Sequence, residues 1–308
     1  MLRLINQAFH QAILCHNSPF ANEYFGVNYW YKRCTAMQAF MQFWENIASW
    51  QRMAILLGGM IFFWLIEGYY PLFRFSWKRY KHAGVNLVFL TTTVILNIVL
   101  GAITIIACRW VTDHNFGLLN QFKLPIWANI ILSLLFMDFF AQYAPHYLMH
   151  KVKFMWKFHM IHHSDTKVDV TTGTRHHPGE WIFRECFTII GVYCIGLSIG
   201  MYFLYRSVSA IFTHFNHANI RVPAWLDKPI SWIFVSPNMH KVHHHYKRPY
   251  TDTNYANIFS LWDRLFGTFA YTDPSQLKYG LDVLEDTNDE SLGYQLKLPF
   301  NKNIKTDY

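Results

Sequence analysis

Hydrophobic positions in this chain gather into long runs. The first covers residues 53–73, with Glu67 near its end and Pro71 behind it. The second, residues 84–108, has no charged residue over 25 positions. About 20 apolar residues cross a bilayer, so this run predicts a membrane helix. Its Thr91, Thr92, Thr93, Val94 and Ile95 would favour a strand in water. In lipid, every backbone polar group must be satisfied within the segment, which imposes a helix. The third run, residues 124–137, reaches only about 21 Å and continues as a stripe of Asp138, Gln142, His146 and His150 at four-residue steps. Pro145 predicts a kink or a restart there. A fourth run covers residues 186–205. Ahead of all four, residues 36–50 read as an amphipathic helix with Phe40, Phe43, Trp44 and Ile47 on one side, lying at the membrane interface or packed in a core.

Charge sets the orientation. The turn at 74–82 holds Arg74, Lys78, Arg79 and Lys81 with no acid, and the loop at 109–123 is much less basic. Cytoplasmic loops carry the excess of Lys and Arg, so the basic turn is expected on the cytoplasmic side, where the third run then delivers His146. Arg3, Lys32, Arg33 and Arg52 weigh against this without reversing it. If the fourth run crossed once, the histidines before it and after it would lie on opposite faces. Residues 187–212 are too few for two full crossings, so a hairpin that enters and returns near residues 196–200 is expected, with Arg206 on the returning arm. Glu67 is either a functional intramembrane acid or a span-end acid reaching head-group water.

Composition agrees with a membrane chain. Of 308 residues, 52% are hydrophobic and only 15% charged, against roughly a quarter charged in soluble domains. The net charge of +8 lies beside apolar runs, which favours anionic lipid head groups over nucleic acid as the partner. Residues 1–15 lack a signal-peptide pattern, because Gln7, His10 and Gln11 interrupt any apolar stretch. Cys15, Cys34, Cys108, Cys186 and Cys194 show no C-x-x-C spacing, so neither a disulfide framework nor a zinc finger is expected.

Seventeen histidines are an excess, and their spacing is the chemistry. His146 and His150 stand four apart; His159, His162 and His163 follow, and the same triple recurs as His240, His243 and His244. On a helix, residues three and four apart share a face, so each group is expected to aim its imidazoles at one point. Neutral imidazole suits iron, zinc, copper and nickel, and spacing does not choose among them. The number of grouped histidines exceeds one tetrahedral site, so two metals are expected. Asp138 and Asp263 are candidates to accept an imidazole N–H and fix its tautomer; the alternatives are a helix-end acid and a cap or salt bridge. A non-catalytic metal protein, such as a zinc carrier, is the rival reading. It predicts ligands along the spans, whereas here they cluster beyond them.

At this level of detail the chain resembles the fatty acid hydroxylase / sterol desaturase superfamily of membrane di-iron oxygenases. The resemblance runs from about Glu67 to Phe269. It rests on the histidine groups above, Arg175-His176-His177-Pro178, His217-Ala218-Asn219, Asn254-Tyr255, and Trp262-Asp263-Arg264-Leu265-Phe266-Gly267-Thr268. It implies an all-α integral membrane bundle of about four apolar helical segments with a cytoplasmic histidine-rich helical cap. It also implies two irons, O2 as co-substrate, a hydrophobic lipid or sterol substrate, and hydroxylation or desaturation of an unactivated C–H bond. Electrons would come from a separate cytochrome b5-like or ferredoxin-like protein, because no haem domain surrounds His177-Pro178-Gly179-Glu180. The implied ligands are His146, His150, His159, His162, His163, His217, His240, His243 and His244, with His177 either a ligand or a support for one. His176, His214 and His245 read as neighbours, and His10, His16, His82 and His114 as ordinary polar positions. The expected division is an interfacial segment at 1–52, membrane helices at 53–145, a catalytic region at 146–273 including the hairpin at about 186–213, and a C-terminal tail at 274–308.

Overall fold

The computed structural model describes residues 26–74, 79–284 and 288–304. His10, His16 and the rest of residues 1–25 of the expected interfacial segment lie outside these. The described chain is all-α, with isolated bridges in place of any strand. Helices run in the order α1 (Gly26–Glu45), α2 (Ser49–Tyr69), α3 (Arg79–Asp113), α4 (Ile126–Asp138), α5 (Ala144–Lys151), α6 (Lys153–His163), α7 (Pro178–Ile195), α8 (Ile199–His217), α9 (Ala224–Ile233), α10 (Pro237–His243), α11 (Leu261–Leu265) and α12 (Leu292–Lys297).

Three stretches, Ser49–Tyr69, Lys81–Gln121 and Ile126–Lys151, are long and apolar enough to cross a membrane. Their outer faces present Phe62, Leu65, Ile98, Val99 and Trp127 uncovered. Contiguous exposed apolar surface of this kind is rare on soluble monomers and needs another apolar phase. The chain is therefore a membrane bundle. Pro145 acts as expected, with a modification: a π turn at Phe139–Tyr143 precedes it, and α5 restarts with the proline in its first turn, where a missing N–H costs nothing.

The helix expected over 36–50 is broken. It ends at Glu45, and Gln51 Oε1 accepts the Ala48 N–H to open α2. Ile47 is buried and Trp44 packs on the core, whereas Phe40 and Phe43 face outward, so the four do not share a side.

α7 and α8 form a helical hairpin that turns at Gly196. Gly196 takes φ +79°, and a Cβ there would lie 2.4 Å from Phe116 O, a conformation and a space that only glycine fills. Glu185 on α7 accepts from Tyr202 and pairs with Arg206 on α8. These charges keep the hairpin out of the set of simple apolar crossings. Both arms return to one end, which places all the histidine groups together. Glu67, buried, accepts the Val170 and Asn219 N–H groups, so it ties the end of α2 to the segments following α6 and α8.

Candidate metal centre

Each ligand-bearing segment is positioned by a local device. α5 continues the third span and carries His146 and His150. Val152, extended at φ −103°, ψ 108°, folds the chain back so that α6 lays its histidines against α5. α10 is capped by Ser236, whose Oγ accepts the Met239 N–H, and carries the last triple. His217 closes α8.

Nine buried imidazoles meet in two groups. His146, His150, His159, His163 and His243 form one; His162, His217, His240 and His244 form the other, and within each group one ligand atom per residue lies within 4.8 Å of all the rest. This corrects the expectation that each sequence triple aims at one point. His159 and His163, four apart, serve the first group, and His162 between them serves the second. His240 and His244 serve the second, and His243 the first. Each triple thus has two faces, and the two triples are used in opposite senses. The groups abut, with His163 stacked on His244 at 4.9 Å between ring centroids.

Hydrogen bonds fix five of the tautomers. The Nδ1 atoms of His146, His243 and His217 lie 2.7, 2.6 and 2.8 Å from the carbonyl oxygens of Tyr255, Thr253 and Thr213. A carbonyl only accepts, so each Nδ1 carries the proton and each Nε2 is bare. His159 Nδ1 lies 2.9 Å from Glu180 Oε1, and His150 Nδ1 lies 3.3 Å from Asp252 Oδ1. Burial, reinforced by neighbouring imidazoles, pushes His162, His163, His243 and His244 well below the usual histidine range, and His240 down to about 3; these rings are neutral. The Nε2 atoms crowd together. His163 Nε2 is 3.2 Å from both His150 Nε2 and His159 Nε2, and His217 Nε2 is 3.2 and 3.1 Å from those of His162 and His240. His146 Nε2 and His243 Nε2 are buried without a hydrogen-bond partner. His162 Nδ1, His163 Nδ1 and His240 Nδ1 have no partner; with these rings in the same tautomer as the other five, facing Nε2 lone pairs would repel, and a cation between them relieves that. Two nitrogens each about 2.1 Å from one ion stand roughly 3.0–3.4 Å apart, which is the separation found. The donor set therefore fits two divalent ions, one per group.

The remaining expected site residues lie elsewhere. His177 joins neither group: its Nδ1 accepts the Gly179 N–H and caps α7. His176 is closer, stacked on His162 at 4.8 Å. Asp138 and Asp263 do not accept from an imidazole. Asp138 takes the N–H groups of Ile258 and Phe259, and Asp263 those of Tyr255 and Ala256. Asp263 thereby acts one step removed, by holding the segment whose Tyr255 carbonyl orients His146. The carboxylates that do orient imidazoles were not singled out from the sequence. Glu180 accepts from His159, His176 and Arg184; its signal was the four-residue spacing of His176, Glu180 and Arg184. Asp252 had no comparable signal. A cavity between the groups is lined by His146, His162, His217 and His240, with Gln142 and Arg184 beside them.

His82 is not an ordinary polar position. It is buried, its Nε2 lies 2.7 Å from Asp165 Oδ1, and Asp165 also accepts from Thr172 and the Lys167 N–H. Arg175, fully buried, donates nearby to Ile161 O, Asn86, Ser164 and Asp289 O. This network braces α6 from behind. Replacing His82 by leucine removes the closest ring donor from the buried Asp165 carboxylate and costs about 1–3 kcal/mol. The expected readout is a lowered thermal midpoint in detergent with an unchanged metal-to-protein ratio at low temperature.

Residues 130–268 match the fatty acid hydroxylase family. Among curated proteins, the ornithine lipid hydroxylase OlsE of Rhizobium tropici is 28% identical over 181 residues, 58% of this chain and 52% of that protein. The alkylglycerol monooxygenase of Xenopus tropicalis is 32% identical over 150 residues, 46% of this chain and 30% of that protein. A very-long-chain aldehyde decarbonylase of Oryza sativa is 29% identical over 157 residues, 49% of this chain and 58% of that protein. The chain thus spans about half or less of the length of the first two relatives. No solved structure matches.

Proposed function

We propose that this chain, whose residues 130–268 match the fatty acid hydroxylase family, is a membrane-bound, O2-dependent di-iron oxidoreductase of the fatty acid hydroxylase / sterol desaturase superfamily. It would hydroxylate an unactivated C–H bond of a membrane lipid. The convergence of nine buried imidazoles into two adjoining groups carries this reading. The ligands are His146, His150, His159, His163 and His243 for one iron and His162, His217, His240 and His244 for the other; His177 is left out. Bound there, the irons would supply dioxygen activation, which no protein side chain can. The chain's own residues hold the imidazoles in one tautomer, exclude water and shape the cavity. Hydroxylation is favoured over desaturation because two relatives are named a hydroxylase and a monooxygenase. Those names also favour a substrate with a polar head and a long acyl or alkyl chain, reached from the bilayer. The centre would face the cytoplasm, at the end of the third span, and take electrons from a separate carrier protein.

The test pairs metal analysis with lipid analysis. Purified protein is expected to hold two irons per chain, and expression in a host lacking it to yield lipids heavier by one oxygen. Zinc in place of iron with an unchanged lipid profile would instead support the carrier reading.

A further inference from the structure

Electrons must reach the buried histidine groups from outside, and the groups that hold the ligands differ in where they lead. The carbonyls of Tyr255, Thr253 and Thr213 are internal backbone. The Glu180 side chain is fully buried. Asp252 is different: its Oδ1 takes His150 Nδ1, while its Oδ2 pairs with Lys151 at 2.7 Å and Arg248 at 3.3 Å. Its own side chain is 14% exposed, and those of Lys151 and Arg248 are 39% and 40%. Among the described carboxylates that accept from a ligand imidazole, Asp252 alone reaches the surface. One carboxylate therefore separates a ligand from solvent.

The surface around it is basic. Lys247 and Lys278 are also exposed and stand 5.1 and 5.0 Å from the centroid of the Tyr246 ring; the Lys247 carbonyl accepts the Thr251 N–H, next to Asp252. Asp282, whose N–H bonds Tyr246 O, is an acid nearby. Asp252 offsets one of the charges of Lys151 and Arg248, and Asp282 one of those of Lys247 and Lys278, so four cations against two acids leave this surface net positive.

We propose that this basic surface, centred on Asp252, is the docking site of an acidic one-electron carrier protein, and that His150 is the ligand through which the centre is reduced. The inference rests on the oxygenase reading above. Per turnover, two reduced carriers are oxidised by one electron each. Dioxygen and two protons accept those electrons together with the two from the C–H bond, one oxygen atom entering the alcohol and the other leaving as water. Charge complementarity favours such a carrier, because opposite patches steer encounter and raise association rates at low salt.

The test uses full-length, iron-loaded protein in nanodiscs of neutral lipid. A reduced acidic [2Fe–2S] ferredoxin serves as the protein reductant, and photoreduced deazariboflavin, small and uncharged, as the control. Lys247→Glu with Lys278→Glu touches neither ligands nor Asp252. The double variant is expected to lower the ferredoxin reduction rate constant at least about tenfold at low salt, and to weaken ferredoxin binding measured by fluorescence anisotropy. Deazariboflavin reduction stays unchanged. The proposal is overturned if the ferredoxin rate is unaffected, if ferredoxin fails to reduce the wild type, if both reductants slow equally, or if the effect appears only in discs containing phosphatidylglycerol, which would mark a lipid contact. Failure of deazariboflavin to reduce any iron in the wild type would instead count against the oxygenase reading itself.

Discussion

His163→Ala is expected to reduce bound iron from two per chain to one or fewer and to lower product formation at least about 100-fold. The ring is shared more widely than any other. Its Nε2 stands 3.2 Å from two ligand nitrogens of its own group, and its faces meet His243 and His244. Loss of a residue that merely supports a ligand costs 10–100-fold in metal affinity or activity; loss of a ligand at the seam of two groups costs more. Mass-spectrometric metal analysis and quantitation of the oxygenated lipid check it. His114→Ala, at an exposed position outside both groups, serves as the control and leaves both readouts unchanged. Retention of two irons by the His163 variant would overturn the ligand assignment.

Glu180→Ala is expected to damage both stability and metal binding. Oε1 of this buried carboxylate lies 2.9 Å from His159, 3.0 Å from His176 and 2.8 Å from Arg184. Burial pushes its pKa up, but His176, His159 and Arg184 outweigh that and hold it well below the usual glutamate range. A lowered carboxylate contributes stability that is full above the ordinary value and is lost as pH falls through the lowered one. Alanine leaves the Arg184 guanidinium buried with Gln142 as its remaining side-chain bond. Breaking a buried pair in this way costs about 3–5 kcal/mol, and freeing the His159 ring costs about 10–100-fold in iron affinity. Glu180→Gln keeps one acceptor oxygen and is expected to recover much of the fold but not the full affinity. Thermal melting and competition with an iron chelator separate the two effects. Equal behaviour of the alanine and glutamine variants in both assays would overturn this account.

The parts legible in the sequence are those with local causes. An uncharged run of 84–108 has one physical solution in lipid, and its helix is found with ends a few residues further out. The histidine spacings identify nine residues that the structure gathers, because a helix fixes which side chains neighbour one another. Their division between two centres was not legible, since it depends on how α6 and α10 are turned relative to each other. The supports were missed for the same reason. Asp252 meets His150 across 102 positions of sequence, and no periodicity signals a contact of that range. Asp138 and Asp263 drew attention as acids near histidines, yet their partners are backbone N–H groups of the connecting segment. His82 looked unremarkable because its partner, Asp165, lies 83 residues away.

The π turn at Phe139–Tyr143 has a consequence for how the third span can be altered. A turn that accommodates one extra residue rotates everything after it by about 100° relative to an uninterrupted helix. His146 and His150 are aimed by that rotation. Substituting a straight leucine helix of equal length would still anchor the protein yet swing both imidazoles to another quadrant, so this membrane anchor is not interchangeable, and its phase matters as much as its hydrophobicity.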